Sequence, residues 1–318
     1  MLRRYLHFVK PETKDFYEMA VRRAVVRILA GLDAALDLAS LAKEAGLSPL
    51  HFHRIFRGLF GETPLELHRR LRLERATHRL LTSGASVTHI AFEAGYETHE
   101  SFTRAFGERY GVAPSAFRES ALAERSDCVR MPDVELGASS ALHFRPAGTA
   151  ESQVLALTLN EGESAMHVDI KELPELRVAT VRHVGPYNRI SEAFARLGRV
   201  AGNAGLYRPD TQMLAIYYDV PETTPADRLR SDAALTVPND AVLPSELGDA
   251  RIPSGRYACT TYVGPYAGLG DAWAQFMGGW LPKSGQRIGA GSTFEIYRND
   301  PTNTPPEKLR TELYISLE

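Results

Sequence analysis

Leu41–Gly61 reads LAKEAGLSPLHFHRIFRGLFG, and Ile90–Gly111 reads IAFEAGYETHESFTRAFGERYG. The second stretch repeats the first. Leu41, Ala42, Glu44, Ala45 and Gly46 match Ile90, Ala91, Glu93, Ala94 and Gly95 at an offset of 49. After one extra residue, Phe52, Arg54, Phe56 and Gly61 match Phe102, Arg104, Phe106 and Gly111 at an offset of 50. Each copy reads as a short helix, a turn opened by glycine, and a second helix. In the second helices Phe52 with Phe56 and Phe102 with Phe106 recur at i, i+4, the spacing of a core-facing pair. The residues between them point outward.

The surrounding sequence continues the helical reading. Asp15–Leu29 carries apolar residues at helical spacing. Ser48-Pro49 pairs an N-cap with proline at the first helical position. Thr63-Pro64-Leu65-Glu66 joins a proline start to a capping box and opens a long basic helix reaching about Leu81. Val87–Ala94, Thr98–Tyr110 and Pro114–Ser120 complete about seven helices. The second helix of such a unit presents side chains to a DNA major groove, so two linked units predict two adjacent major-groove contacts.

Composition and charge fit that expectation. A chain of 318 residues with 44% hydrophobic content suggests two globular domains. The net charge of −2 hides an asymmetry: residues 1–126 hold 19 Lys/Arg against 15 Asp/Glu, and the remainder 18 against 24. The amino-terminal part is the candidate for a polyanion. No apolar run is long enough for a bilayer, and residues 1–12 lack the apolar core of a signal peptide, so no membrane association and a cytoplasmic location are expected. Cys128 and Cys259 are too few and too distant for a disulfide framework or a metal-type spacing. His51 and His53, at i, i+2 on a helix, point to different faces, so no metal is expected there.

These residues carry a resemblance. SPLHFHRIFRGLFGETPLELHRRLRLERA and IAFEAGYETHESFTRAFGERYGVAPSAFR, with Gly-x-x-Pro closing each unit at Gly61–Pro64 and Gly111–Pro114, are similar to the DNA-binding domain of the AraC/XylS transcription regulators. The likeness covers about a third of the chain. It implies that double-stranded DNA is read by Leu50, His53 and Arg54 in the first unit, and by His99, Glu100, Thr103 and Arg104 in the second. Arg54 and Arg104 rank first, because arginine can donate bidentately to a guanine edge. Arg69, Arg70, Arg72, Arg75 and Arg79 on the linking helix are candidates for phosphate contacts, or for a solvated face paired with Glu66 and Glu74.

Residues 121–165 show no sustained period beyond a possible strand at Val154–Leu159, and read as a partly ordered linker. From about residue 166 a second duplication begins. VATVRHVGPY, residues 178–187, matches YACTTYVGPY, residues 257–266, at an offset of 79. Ile216-Tyr217, Pro221, Thr224, Pro225, Leu229 and Arg230 match Ile296-Tyr297, Pro301, Thr304, Pro305, Leu309 and Arg310 at an offset of 80, where Asp232 meets Glu312. Each half reads as strand, Gly-Pro turn, helix (Asn188–Gly202; Ala267–Leu281), then two strands. The expected fold is therefore an all-α amino-terminal domain over 1–120, the linker, and an α+β domain over 166–318. In the latter, tandem βαββ repeats form one antiparallel sheet with both helices on one face.

VRHVGPY, WLPKSG and FEIYRNDPTNTPPEKLRTELYISL resemble the gyrase-inhibitor-like (GyrI-like) effector-binding domain. That resemblance implies a cleft for a small, often cationic and aromatic, molecule. Strand alternation puts Glu295 with Tyr297 and Glu312 with Tyr314, opposite the apolar residues expected to pack on the helices. Tyr217 and Asp232 are their mates in the first half. All six are candidate ligand residues, pooled on one face, with aromatic walls and desolvated carboxylates suited to an organic cation.

The two resemblances together imply a ligand-responsive transcription regulator, not an enzyme, acting with RNA polymerase and needing no cofactor, as a monomer or homodimer. The alternatives are a small-molecule hydrolase using Glu295 and Tyr297, or a sequestering protein.

Overall fold

The computed structural model describes residues 11–123, 142, 144 and 166–318. Nearly all of the expected linker, including the strand expected at Val154–Leu159, lies outside the described residues. The chain forms two compact units that interleave in sequence. Among the described residues, one gathers 11–17, 46–58 and 166–318; the other gathers 18–45, 59–123, 142 and 144.

Among the described residues, seven helices precede the sheet: α1 (Pro11–Ala30), α2 (Leu38–Glu44), α3 (Pro49–Phe60), α4 (Pro64–Thr82), α5 (Val87–Glu93), α6 (His99–Tyr110) and α7 (Pro114–Ala123). Their starts follow from local chemistry. Thr63 accepts from the Glu66 amide at 3.1 Å while the Glu66 carboxylate accepts from the Thr63 amide at 2.7 Å, a complete capping box opening α4. Asp37, Ser86 and Thr98 cap α2, α5 and α6 through side-chain oxygens. In the helical unit, Phe102 and Phe106 are fully buried with Leu73, Leu80, Ile90, Ala91 and Phe117, as the i, i+4 spacing predicts. The basic face of α4 is largely committed to carboxylates. Arg70 is buried between Glu62 (2.5 Å) and Glu74 (2.8 Å), Arg75 pairs with Asp33, and Arg79 with Glu93.

In the other unit, eight strands form one sheet: β1 (Val168–Leu173), β2 (Leu176–Val184), β3 (Met213–Tyr217), β4 (Arg230–Thr236), β5 (Gly248–Ile252), β6 (Gly255–Val263), β7 (Phe294–Tyr297) and β8 (Arg310–Ser316). Their order is β1-β6-β8-β7-β3-β4-β2-β5, and the paired strands are antiparallel. The duplication is visible as a pseudo-twofold between β3 and β7. The expected repeat lacked β1 and β5. Each of these edge strands pairs with the other half of the sheet: β1 with β6, and β5 with β2. Only Pro174-Glu175 separates β1 from β2, yet they stand near opposite ends of the strand order, so the sheet must curl until its ends approach.

Curling gives the sheet two buried faces. Inside the curl lie Val178, Leu214, Ile216, Ala234, Ile252, Tyr257, Phe294, Ile296 and Tyr314. On the outer face, α8 (Ser191–Asn203) packs Ala193, Leu197 and Ala201 on Ala179, Val181, Ala233 and Leu235. The second helix, α9 (Leu269–Ala274), widens into a π-helical turn over Gln275–Trp280. Burial on both sides explains why β4 and β8 carry nearly continuous buried runs.

Candidate functional site

Two glycines set the site's rim. Gly185 and Gly264, with φ of 145° and 149°, take a conformation that L side chains avoid, and each amide donates to the strand start opposite, at Leu229 and Leu309. The Pro-Tyr that follows each glycine then delivers Tyr187 and Tyr266 to the helix face of the sheet. Tyr187 packs edge-on against Tyr217 at 4.7 Å between centroids, and Tyr266 against Tyr297 at 5.4 Å. The helices add one aromatic each at equivalent repeat positions: Phe194 of α8 packs on Tyr297 at 5.6 Å, and Trp273 of α9 reaches Glu295.

Glu295 lies at the centre of this aromatic enclosure and is 2% exposed. The Trp273 indole donates to one carboxylate oxygen at 2.7 Å and the Tyr297 hydroxyl to the other at 2.8 Å. The Tyr217 and Tyr297 hydroxyls lie 3.2 Å apart. Burial raises the Glu295 carboxyl above its usual value, against the lowering effects of Trp273, Tyr297 and the positive charge of Arg54. Burial first, and then the nearby carboxylate, push Tyr297 and Tyr217 well up, so both stay neutral.

The charge that Glu295 faces belongs to α3. The Arg54 guanidinium carbon sits 4.0 Å from the centre of the Trp273 ring. Burial lowers Arg54 to about 10, while Glu295, Tyr217 and Tyr187 act in the opposite direction. It therefore remains charged at neutral pH. Its neighbour His51 falls to about 4, through burial first and Arg54 second, and is neutral. Two further contacts seat the same helix: His53 Nε2 lies 3.3 Å from Glu222, and Arg57 donates to Asp271 at 2.5 Å.

The six expected ligand residues do not pool on one face. Tyr217, Glu295 and Tyr297 come together as described. Asp232, Glu312 and Tyr314 lie on the opposite face of the sheet. The register decides this: Glu312 stands opposite Ile296, and Asp232 opposite Ile216, so both follow the curl-interior residues, whereas Glu295 stands opposite Leu313 and Ala215. The expected sidedness is inverted for β7, whose Glu295 and Tyr297 face the helices, and holds for β8, whose Leu313 does so. The carboxylates of the opposite face are already answered. Arg182 and the Tyr218 hydroxyl bond Asp232 at 2.5 and 2.7 Å, and Arg298 and the Tyr314 hydroxyl bond Glu312 at 2.7 and 2.6 Å. Trp273, absent from the expected ligand residues, is a direct partner of the buried carboxylate. Tyr187, Tyr266 and Phe194 also escaped the sequence reading, although the repeated VGPY signalled the two tyrosines.

Of the expected DNA-reading residues, Glu100 and Arg104 on α6 are exposed and His99 and Thr103 partly so, with the Thr103 hydroxyl oxygen shielded from solvent. On α3, Leu50 is buried and His53 and Arg54 are turned to the contacts above. Among the described residues no helix is long and apolar enough to cross a membrane.

Comparison with known proteins gives two family matches: a helix-turn-helix domain over residues 41–120 and a GyrI-like small-molecule-binding domain over 166–318. A DNA gyrase inhibitor of Yersinia enterocolitica is 35% identical over 136 residues, covering 41% of this chain and 85% of that protein. An HTH-type transcriptional regulator of Mycobacterium tuberculosis is 35% identical over 83 residues, 26% of this chain and 32% of that one. Among solved structures, the EcmrR C-terminal domain aligns at 19% identity with a TM-score of 0.43, over 48% of this chain and 98% of the other. The chain belongs to the GyrI-like small-molecule-binding family, and carries that domain behind an AraC-type helix-turn-helix region.

Proposed function

We propose that this protein is a transcription regulator that reads two adjacent major grooves of double-stranded DNA and responds to a flat organic cation held at Glu295. The observation that carries the ligand reading is the buried Glu295 carboxylate, enclosed by Trp273, Tyr297, Tyr217, Tyr187 and Tyr266. A carboxylate removed from water gains most from a cation that brings its own charge and lies flat on aromatic faces. The exposed Glu100 and Arg104 support base reading by α6, with His53 and Arg54 as the corresponding residues of α3. Binding of such a cation is then expected to alter how the regulator engages RNA polymerase at its promoters.

The test uses the full chain. Benzamidinium and neutral benzamide, nearly the same shape, are titrated by calorimetry, and bound duplexes are selected from a random pool with and without benzamidine. The reading expects preference for the cation of at least about tenfold, the factor given by 1.4 kcal/mol. It also expects a selected site about two helical turns long, whose recovery changes with benzamidine. Equal affinity for benzamide would remove the cationic reading. Recovery of no preferred sequence would remove the gene-specific one.

A further inference from the structure

We propose that Arg54 is an internal ligand of the Glu295 pocket, so that an entering cation must expel Arg54 and thereby free the face of α3 expected to read DNA. This rests on the cation reading above and adds how the site is regulated.

The pocket already holds a cation in the position a ligand would take. The Arg54 guanidinium is planar and lies 4.0 Å over the Trp273 ring, whose indole donates to Glu295, and the charge of Glu295 favours the protonated arginine. The helix that brings it is seated by more than one residue. Arg54, Arg57 and Gly58 share one face by their i, i+3, i+4 spacing, and Arg57 bonds Asp271. A Cβ on Gly58 would lie 2.6 Å from the Gly278 Cα and closer still to the Ala274 carbonyl oxygen, so only glycine lets α3 approach the widened π-helical turn after α9. His53 is engaged by Glu222 as well. One guanidinium cannot fill the pocket and donate to a guanine edge at once, so pocket occupancy and base reading by α3 exclude each other. An internal ligand also sets the affinity of external ones: if Arg54 fills the pocket for about nine-tenths of the time, the apparent affinity of a competitor falls about tenfold.

The test compares the full-length wild type with Arg54→Ala, Gly58→Ala and Glu295→Gln. Gly58→Ala keeps the arginine and improves helix propensity, but blocks the close approach. Two readouts are used: benzamidine affinity by calorimetry, and acrylamide quenching of Trp273 without ligand, in a Trp280→Phe background. Both Arg54→Ala and Gly58→Ala are expected to bind benzamidinium about tenfold more tightly than wild type and to expose Trp273 to quencher. Glu295→Gln is expected to lose benzamidinium binding. Unchanged or weaker binding by Arg54→Ala and Gly58→Ala, with unchanged quenching, overturns the internal-ligand proposal and leaves the cation reading standing. Absence of benzamidinium binding in every variant, Arg54→Ala included, refutes the cation reading and this proposal with it.

Discussion

Ala215 and Glu295 are strand partners across β3 and β7, and they are also equivalents in the internal repeat, 80 residues apart. The duplication therefore breaks its symmetry at the centre of the site. It supplies the aromatic walls twice, as Tyr187 with Tyr266 and Tyr217 with Tyr297, but the carboxylate once. Ala215 is fully buried, so the first half offers neither charge nor room at the matching point. A pocket with two aromatic sides and one negative charge suits a single flat cation.

Glu295→Gln should keep the fold and lose the cation. The glutamine oxygen can accept from Trp273, and its amide can donate to Tyr297, whose hydroxyl can turn toward Tyr217, so the hydrogen bonds survive while the charge is removed. The expected loss of benzamidinium affinity is at least about tenfold, with an unchanged far-ultraviolet circular dichroism spectrum.

The same carboxylate sets a pH dependence. Because burial raises its value, wild-type cation affinity should decline on acidification sooner than an ordinary carboxylate would allow, and the decline should vanish in Glu295→Gln. Its effect on stability has the opposite sense. The folded state holds the proton more tightly than the unfolded chain, so this group lowers stability as pH rises from the ordinary carboxylate value through the raised one. Calorimetric titrations and thermal melts over pH 4–8 measure both.

Glu312→Gln should separate the two faces of the sheet. Benzamidinium affinity is expected to stay within about twofold of wild type, while stability falls by about 1–3 kcal/mol through the weakened bonds from Arg298 and Tyr314. Burial alone would raise the Glu312 carboxyl, but the bonds from Arg298 and Tyr314 hold it below its usual value. Its stabilising contribution is thus present above the ordinary carboxylate value and lost as pH falls through the lowered one. A large loss of cation binding would mean that the opposite face takes part in the site.

Arg70 and Arg104 should behave as opposites despite identical chemistry. Arg70→Met removes the guanidinium that Glu62 and Glu74 share in a buried setting and is expected to cost about 3–5 kcal/mol in urea unfolding. Arg104→Ala removes an exposed side chain, so stability should change by less than about 0.5 kcal/mol. Its effect should appear in DNA selection, as relaxed preference at one base position worth about 1–3 kcal/mol. Uniform weakening over all sequences would make Arg104 a phosphate contact instead.

Much of this architecture was legible because its signals are local or repeated. A capping box closes within four residues, so Thr63 and Glu66 announced α4 without knowledge of the rest of the chain. The Phe pair of α6 declared its core face by spacing alone. Two duplications gave the order of the repeated elements and the pseudo-twofold that relates them. Within single strands, alternation also held: Glu295 and Tyr297 touch each other, as do Glu312 and Tyr314.

What alternation could not supply is the offset between strands. A period of two says which residues share a side of one strand, but register alone says which sides coincide, and a shift of one residue moves a whole set to the other face. Pairing of Ile296 with Glu312 therefore parts Glu295 and Glu312, which alternation within single strands places on like faces. Apolar character failed as a guide to direction in β7 because the curled sheet is covered on both faces, so Phe294 and Ile296 are buried in the curl while Glu295 is buried under the helices. The edge strands β1 and β5, exchanged between halves, and the contact of Arg54 with Trp273 join residues far apart in the chain. Such contacts depend on long-range packing, and only the tertiary structure decided them.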